Sequence, residues 1–164
     1  SGLPIAIDAD GLNWLAKQDQ WWELLPPDKA VLTPHAAEMS RLTGREVEEI
    51  TTDPVGAARD AAVKWGQTVV LKGTTTVIAT SEGIVITVEM PLSLATAGSG
   101  DVLAGLVAGL CAQGLSSFDA ACAGAWIHAQ AGLAAAEHME QTASVLAGDV
   151  LSAVPEAVAD LYAS

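Results

Sequence analysis

Short apolar segments alternate with helical segments along this 164-residue chain, and that alternation constrains the fold more than any other feature. The apolar segments are brief and bounded by proline, glycine or charged residues, which is typical of buried strands. We predict strands at residues 4–9, 30–33 and 68–71, and a β-hairpin of 75–80 and 84–88 that turns at 81–83. We predict helical segments at 13–25 (in part irregular), 36–42, 54–65, 101–113 and 118–139, then a final pair split by Pro155. The pattern indicates one α/β domain, residues 1–164, with a mostly parallel sheet flanked by helices.

One predicted helix has both of its ends marked in the sequence. Asp53 is a favoured N-cap residue, and Pro54 is favoured at the first helical position. Gly66 suits the left-handed conformation that commonly ends a helix. We therefore expect this helix to begin at Pro54 and to end at Trp65.

A segment of small residues, 95–105, lies between the predicted hairpin and the next helix, and it carries the strongest functional signal in the chain. Its glycines let the backbone approach a ligand closely and adopt unusual φ angles. A helix that opens at residues 98–100 presents unsatisfied N–H groups and the positive end of its dipole, which favour an anion such as phosphate. Asp101 would lie beside that anion and could accept a proton from a substrate hydroxyl. The alternative is an ordinary glycine turn with Asp101 as a first-turn acid.

Polar segments also follow the other predicted strands. Residues 33–39 turn from a strand into a helix at His35, and residues 72–76 begin with a lysine. Asp8, Asp10 and Asn13 follow the first strand. In α/β sheets, ligands bind outside the carboxyl ends of the strands, where all these segments fall. The alternatives are a simple strand-to-helix turn, a solvated lysine and helix-capping residues.

Charge and hydrophobicity exclude several classes of partner. The net charge is −13 with only seven Lys plus Arg, so we expect neither nonspecific nucleic-acid binding nor binding to an anionic membrane. An anionic ligand would have to be held mainly by backbone amides and helix ends. Hydrophobic residues make up 51% of the chain. No apolar run approaches the roughly 18 residues that a membrane span needs, so we expect a soluble chain with subunit contacts.

The two cysteines bear on disulfide formation and metal binding, and the N-terminal sequence bears on location. Cys111 and Cys122 lie in Ala- and Gly-rich helical segments without His or Cys at metal-ligand spacing. We expect each to act as a small apolar residue, without a disulfide or a metal site. No signal peptide is seen, which favours a cytoplasmic location.

Four motifs occur in order along the chain. They are Asp8-Ala9-Asp10-Gly11-Leu12-Asn13, Leu32-Thr33-Pro34-His35 followed by Glu38-Met39, Val69-Val70-Leu71-Lys72-Gly73, and Leu94-Ala95-Thr96-Ala97-Gly98-Ser99-Gly100-Asp101-Val102-Leu103-Ala104-Gly105. Together they closely resemble the ADP/ATP-dependent NAD(P)H-hydrate dehydratases, a branch of the ribokinase-like superfamily. The resemblance covers essentially the whole chain and implies a ribokinase-like layered fold. Members of this family carry a further N-terminal stretch. The chain thus resembles the C-terminal portion of the family's domain and is expected to be a fragment, one half of a split protein or a shortened homologue.

The resemblance implies a metabolite-repair lyase that returns hydrated NADH or NADPH (NADHX or NADPHX) to the reduced dinucleotide by using ADP or ATP, with Mg²⁺ as an accompanying ion. Hydroxide is a poor leaving group, and phosphorylation of the hydroxyl at C6 of the nicotinamide ring makes it a good one. Asp101 matches the position that takes the hydroxyl proton and contacts the substrate. The other substrate-binding positions carried over are His35, Ala36, Ala37, Glu38 and Met39. The nucleotide-binding positions carried over are Lys72, Gly73, Thr76, Thr96, Ala97, Gly98, Ser99 and Gly100, and no metal ligand is carried over.

Two other functions fit parts of the same pattern. A ribokinase-like kinase of a vitamin precursor is one, because an anion loop followed by an aspartate serves simple phosphoryl transfer equally well. A non-catalytic nucleotide-binding or subunit-interaction module is the other.

The Ala-rich helices around residues 111–136 suit a buried helix layer or a subunit interface. We expect a homo-oligomer, a tetramer by resemblance to bacterial members of the family, or pairing with an N-terminal fragment.

Overall fold

The computed structural model describes residues 4–163, with side chains described as far as residue 160. Strands within this range are Ile5–Ile7 (β1), Ala30–Leu32 (β2), Thr68–Leu71 (β3), Thr75–Ala79 (β4) and Val85–Glu89 (β5). The α-helices are Asp10–Leu15 (α1), Ala36–Thr43 (α2), Val47–Thr52 (α3), Pro54–Trp65 (α4), Ser99–Ala112 (α5), Ser117–His138 (α6) and Ala147–Ala163 (α7). Short 3-10 turns lie at Trp21–Leu24 and Leu92–Leu94.

The five strands form one mixed sheet in the order β1-β2-β3-β4-β5. The first three strands are parallel, with Ile5 opposite Ala30 and Val31 opposite Thr68. Strand β4 runs antiparallel to β3, and β5 completes the predicted hairpin. The parallel part is therefore confined to the three strands whose carboxyl ends carry the candidate site residues.

Helices cover both faces of the sheet, because neighbouring side chains on a strand point to opposite faces. Leu32 and Val69 pack with α1, α2, α3 and α4 on one face. Val31 and Val70 pack with α5 and α6 on the other face. A third apolar cluster joins α6 to α7 and includes Leu94. No helix within residues 4–163 combines the length and apolarity that crossing a membrane would require.

The cysteines lie in the α5 and α6 layer as free thiols. Cys111 is buried and Cys122 is half-buried. Burial raises the pKa of the Cys111 thiol. Burial, with a contribution from the carboxylate of Asp119, raises the pKa of Cys122 to about 11. Both side chains are thus uncharged thiols at neutral pH, in keeping with a packing role.

The predicted ends of α4 are found in the structure. The helix runs from Pro54 to Trp65, and the Asp53 carboxylate accepts a hydrogen bond of 2.9 Å from the Gly56 N–H. Gly66 follows in the left-handed conformation, with φ at +64°. Local capping signals sufficed here because each acts on the backbone within one turn.

Helix α7 continues through Pro155, so the predicted division of the C-terminal helical segment at this residue is wrong. Proline has no N–H, which leaves the carbonyl of Leu151 without its helical donor. Both residues lie on the exposed side of the helix, where water can reach that carbonyl. On the opposite side Val150, Ala153 and Ala157 are buried in the third apolar cluster. This packing offsets the missing hydrogen bond.

The predicted helical segment 13–25 consists of two shorter pieces. Helix α1 ends at Leu15, and the 3-10 turn begins only at Trp21. Gln20, just before the turn, has the left-handed φ of +47°. Trp21 is buried and its ring centroid lies 5.1 Å from that of Trp65. The path of residues 13–25 is therefore set by the burial of the Trp21 ring and not by helix propensity.

Candidate functional site

The carboxyl ends of β1, β2 and β3 bring Asp8, His35 and Lys72 to one edge of the sheet. His35 and Lys72 form an isolated parallel bridge that extends the pairing of β2 and β3. The Lys72 N–H donates a 2.8 Å hydrogen bond to the carbonyl of Pro34. Residues that are far apart in sequence are thus held side by side by the backbone of the sheet.

Lys72 is paired with carboxylates rather than solvated. Its Nζ donates a 2.8 Å hydrogen bond to Oδ1 of Asp8 and lies 3.9 Å from Oε2 of Glu38. The side chains of Lys72, Asp8 and Glu38 are only 20%, 13% and 7% exposed. Two carboxylates around one ammonium leave this cluster with a net negative charge. An incoming phosphate must therefore be stabilised by further donors as well as by Lys72.

His35 begins α2 and forms a capping box with Glu38. Its Nδ1 accepts hydrogen bonds from the N–H groups of Ala37 and Glu38, at 3.1 and 3.3 Å. The Glu38 carboxylate accepts a 2.8 Å hydrogen bond from the His35 N–H. Because Nδ1 is an acceptor, the neutral ring carries its proton on Nε2. The imidazole therefore serves the helix start with one nitrogen and keeps an N–H donor on the other.

The N-terminus of α5 supplies the further donors. Gly98 precedes the helix with φ at +87°, a conformation that favours glycine. Within the described part of the chain, the N–H groups of Gly98 and Gly100 donate to no backbone or side-chain acceptor. A Cβ added at Gly100 would lie 3.3 Å from Nζ of Lys72, so backbone and ammonium are adjacent. Ser99 Oγ stabilises the loop before α5 by donating a 2.7 Å hydrogen bond to the carbonyl of Leu94. Free amides next to a lysine form a suitable phosphate site.

A cavity of about 410 Å³ opens between these elements. Six of the predicted site residues line it: His35, Lys72, Gly73, Thr76, Ser99 and Gly100. The rest of its wall, which is mainly apolar, comes from Thr74, Met90, Pro91, Leu92, Leu94, Ala95, Leu103 and His128. A lysine and a free amide together with mainly apolar side chains suit a ligand with a phosphate and a flat, weakly polar body.

Asp101 is not in the wall of this cavity; it follows Gly100 directly and lines a separate groove between α5, α6 and α7. It is exposed in the first turn of α5, and its Oδ2 lies 3.9 Å from where a Cβ of Gly98 would be. A ligand whose phosphate sits over the helix N-terminus would therefore have Asp101, in the first helical turn, beside it. Ala97 and Gly98 are exposed beside it, whereas Thr96 lines a separate hollow.

The α2 residues divide into three environments. Glu38 is buried beside Lys72, and Ala36 and Ala37 are half-buried in the first turn of the helix. Met39 is fully buried in the core against the sheet. The structure does not bring the Met39 side chain to the cavity, because the helix turns it inward one residue after Glu38.

His128 lines the cavity but was not among the residues predicted from the sequence. It is 4% exposed near the middle of α6, and within the described residues neither ring nitrogen has a partner of good hydrogen-bond geometry, although the backbone of Ser99 lies close to the ring. Burial lowers the pKa of His128 to about 4; the nearby Ser99 backbone opposes this shift and the charge on Lys72 adds to it. The available signal was weak: a single histidine in the run 120–136, which consists mostly of alanine and glycine.

This histidine should make the stability of the chain depend on pH between about 6.5 and 4. The unfolded chain binds a proton near the upper value and the folded chain only near the lower one, so stability is lost as the pH falls. The free energy of unfolding should drop by up to about 3 kcal/mol more in the wild type than in His128→Gln. Urea unfolding of both proteins at several pH values measures this, and carboxylate titration cancels in the difference. Parallel pH profiles would contradict the burial of an unpartnered neutral ring.

The family of NAD(P)H-hydrate dehydratases matches residues 1–156. The chain belongs to this family. An ADP-dependent (S)-NAD(P)H-hydrate dehydratase from Neisseria meningitidis is 41% identical over 152 residues, which is 92% of this chain and 51% of that protein. A bifunctional NAD(P)H-hydrate repair enzyme from Moorella thermoacetica is also 41% identical, over 97% of this chain and 30% of its own length. The chain thus spans about half or less of these family members.

Solved structures place the fold in the same family. The ADP/ATP-dependent NAD(P)H-hydrate dehydratase from Bacillus subtilis, co-crystallised with ATP/Mg²⁺, superposes with a TM-score of 0.83 and 26% identity. That match covers 98% of this chain and 56% of the other. A hydroxyethylthiazole kinase from Pyrococcus horikoshii superposes with a TM-score of 0.67 at 17% identity and shows likeness of fold alone. The ribokinase-like layered fold expected from the four motifs is therefore confirmed.

Proposed function

We propose that this chain takes part in the nucleotide-dependent dehydration of NAD(P)H hydrate, with ADP or ATP as the phosphoryl donor. The observation that carries the proposal is that Lys72 lies beside Gly100 in the wall of one cavity, at a helix start where the amides of Gly98 and Gly100 have no acceptor. The reaction is proposed from family membership. Lys72 and these amides would bind the phosphoryl group that is transferred. The cytoplasmic location expected from the sequence stays a prediction.

In the proposed reaction, Asp101 accepts the proton of the C6 hydroxyl as that oxygen attacks the terminal phosphorus. The bond from phosphorus to the bridging oxygen of the nucleotide breaks, which releases AMP from ADP or ADP from ATP. The amides at 98–100 stabilise the charge on the phosphoryl oxygens during transfer. The C6–O bond then breaks with phosphate as the leaving group, and loss of a proton from the neighbouring ring carbon restores the double bond. Water is thereby removed in total, at the expense of one phosphoanhydride bond.

We expect Mg²⁺ only as an ion bound to the phosphates of the nucleotide. Within residues 4–163, no group of three or more His, Cys, Asp or Glu side chains is placed to hold a metal ion. Magnesium commonly binds substrate phosphates with help from one or two carboxylates. Asp8 and Glu38 both face Lys72. We assign no step of the reaction to the metal ion.

The decisive experiment is an assay of the chain with hydrated NADH or NADPH and either ADP or ATP. Recovery of NADH absorbance, with one phosphate released per NADH, is the expected result. Consumption of ATP with transfer to an added vitamin-precursor alcohol, and no action on the hydrate, would favour the kinase alternative. Calorimetric binding of ADP without any turnover would favour a non-catalytic module. The longer family members provide the positive control.

We further propose that the chain associates, either with a second copy or with a segment that the longer relatives carry. Large apolar side chains such as Trp126, Leu133 and Leu151 are 37%, 46% and 60% exposed. An apolar groove of about 770 Å³ also runs between α5, α6 and α7. Sedimentation at micromolar concentration should give a species heavier than the 16.7 kDa chain. A cooperatively unfolding monomer of that mass would show this expectation to be wrong.

A further inference from the structure

Strand β5 forms one edge of the sheet, and within the described part of the chain no strand pairs with its outer side. In an antiparallel pair, residues that exchange two hydrogen bonds alternate with residues whose backbone groups point the other way. The N–H of Met90 donates to the carbonyl of Thr74, and the N–H of Thr80 donates to the carbonyl of Ile84. The even-numbered residues of β5 are therefore bonded to β4, and the backbone groups of its odd-numbered residues point outward.

This edge lacks the devices by which proteins usually keep an exposed strand from pairing. Lysine, proline and β-bulges are common on such edges. Strand β5 reads Val85-Ile86-Thr87-Val88-Glu89, and it pairs with β4 in one regular register along its whole length. Its one charged side chain is Glu89, whose carboxylate accepts a 2.8 Å hydrogen bond from Oγ1 of Thr75. Such an edge is a template for a further strand.

An apolar groove lies beside this edge, between β5 and α6. Ile86 and Val88 line it from the strand, and Cys122 and Trp126 line it from the helix. Ile86 and Trp126 are 41% and 37% exposed. Apart from Glu89, the residues that line the groove are uncharged. Because the chain has a net charge of −13, two copies repel each other least where their surfaces carry few acids.

We infer that β5 pairs with β5 of a second copy of this chain, antiparallel and about a two-fold axis at Thr87. Dimers with two-fold symmetry use the same patch on both subunits, so the strand must be complementary to itself. The inference rests on the association of two copies proposed above, for which it names the surface. It does not depend on the reaction that the chain catalyses.

The register centred on Thr87 satisfies the outward backbone groups of the whole strand. It places Thr87 opposite the partner's Thr87, and Val85 opposite the partner's Glu89. All the odd-numbered residues of β5 then exchange hydrogen bonds across the axis. A shift by two residues in either direction would leave an outward residue of each copy without a strand residue opposite it.

The side chains are compatible with the same register. Two threonines face each other at the axis, and the Glu89 carboxylates of the two copies are not opposed. Ile86 lies opposite the partner's Val88, in the kind of strand pair whose side chains approach most closely. Both apolar residues are on the groove side of the sheet, so pairing would cover them together with Trp126.

Sedimentation of the wild type and of Thr87→Lys at micromolar concentration tests the surface. Thr87 is exposed, and lysine there would place two ammonium groups opposite each other, which destabilises a strand pair. The mass of the wild-type oligomer should fall to about half in Thr87→Lys. General repulsion cannot explain such a loss, because lysine makes the chain less negative. An unchanged mass would overturn the inference.

Two further samples control for the added charge. Thr52→Lys introduces the same charge at an exposed position on α3, on another part of the surface, and should keep the wild-type mass. An equimolar mixture of Thr87→Lys and Thr87→Glu should recover the wild-type mass, because opposite charges then face each other across the axis. A mixture that stays at half the mass would contradict direct pairing at Thr87.

Disulfide formation tests the register. In Thr87→Cys the two new cysteines would be directly opposed, with Cα atoms about 5.5 Å apart, which a disulfide can span. In Glu89→Cys, the control on the same face of β5, they would be roughly 13 Å apart along the strands, which is too far. Mild oxidation should link only Thr87→Cys into covalent dimers, with the wild type as the background for Cys111 and Cys122. Linking of Glu89→Cys instead would overturn the register.

The outcomes also separate this inference from the association proposed above. A wild-type chain that sediments as a monomer would contradict both. An oligomer that Thr87→Lys leaves intact would contradict only the pairing of β5, because the copies then meet at another surface. A monomer that binds the further segment of a longer relative, with binding lost in Thr87→Lys, would assign the edge to that segment. If Thr87→Lys does not unfold cooperatively, the two cysteine variants decide.

Discussion

Replacement of Asp101 by asparagine should lower turnover of the hydrate by on the order of 10²-fold or more while leaving ADP affinity nearly intact. Asparagine has almost the same shape, but its amide cannot accept a proton at neutral pH. Asp101 is exposed in the first turn of α5, so the substitution removes no buried contact. Turnover is measured by recovery of NADH, and ADP affinity by calorimetry on the same preparation.

Asp119→Asn is the matched control for this substitution. Asp119 also lies exposed in the first turn of a helix, α6, but unlike Asp101 it does not adjoin a residue of the cavity wall. The control should therefore keep wild-type turnover, which shows that loss of a first-turn acid alone has no catalytic effect. Turnover of Asp101→Asn near the wild-type value would remove Asp101 from the role of proton acceptor. A parallel loss of ADP affinity would instead place its carboxylate in nucleotide binding.

Those parts of the fold that depend on local backbone chemistry could be predicted from the sequence. Asp53, Pro54 and Gly66 mark the ends of α4 because capping acts within one turn, and the structure has both ends as predicted. Tertiary packing decides the other cases. Pro155 is accommodated by burial on the opposite face of α7, and Trp21 is held by Trp65, a residue far along the chain. Helix α3, of only six residues, was not predicted because so short a segment has little periodicity.

In the candidate site, too, some features could be predicted from the sequence and others depend on tertiary packing. The rule that ligands bind at the carboxyl ends of parallel strands was enough to bring His35 and Lys72 to one edge. It could not show that Lys72 would be paired with Asp8, because that contact joins residues 64 positions apart. Met39 matched a family motif, yet the helix turns it into the core. His128 had no motif at all, since its importance comes only from burial beside the cavity.

Substitution of Gly98 or Gly100 by valine should abolish detectable ADP binding, for two different physical reasons. Gly98 has φ at +87°, which a β-branched residue adopts only at a cost of about 1–3 kcal/mol. Its added Cβ would also lie 3.2 Å from that of Ala147, so the loop must shift. At Gly100 the backbone is ordinary, but the new side chain would meet Nζ of Lys72 at 3.3 Å and cover the free amide. Calorimetry with ADP measures both variants.

Gly105→Val on the same helix separates loss of the site from loss of the helix. A Cβ at Gly105 meets nothing within 4 Å, and the residue lies more than one turn beyond the phosphate position, so this control places a valine in the same helix without touching the site. It should bind ADP as the wild type does, and all three variants should unfold cooperatively.

Because Gly98→Val acts through backbone strain and Gly100→Val through occupied space, Gly100→Ala should retain weak binding whereas Gly98→Ala should not. Full ADP affinity in both valine variants would exclude the start of α5 as the phosphate site, and equal loss in the Gly105→Val control would trace the effect to the helix itself.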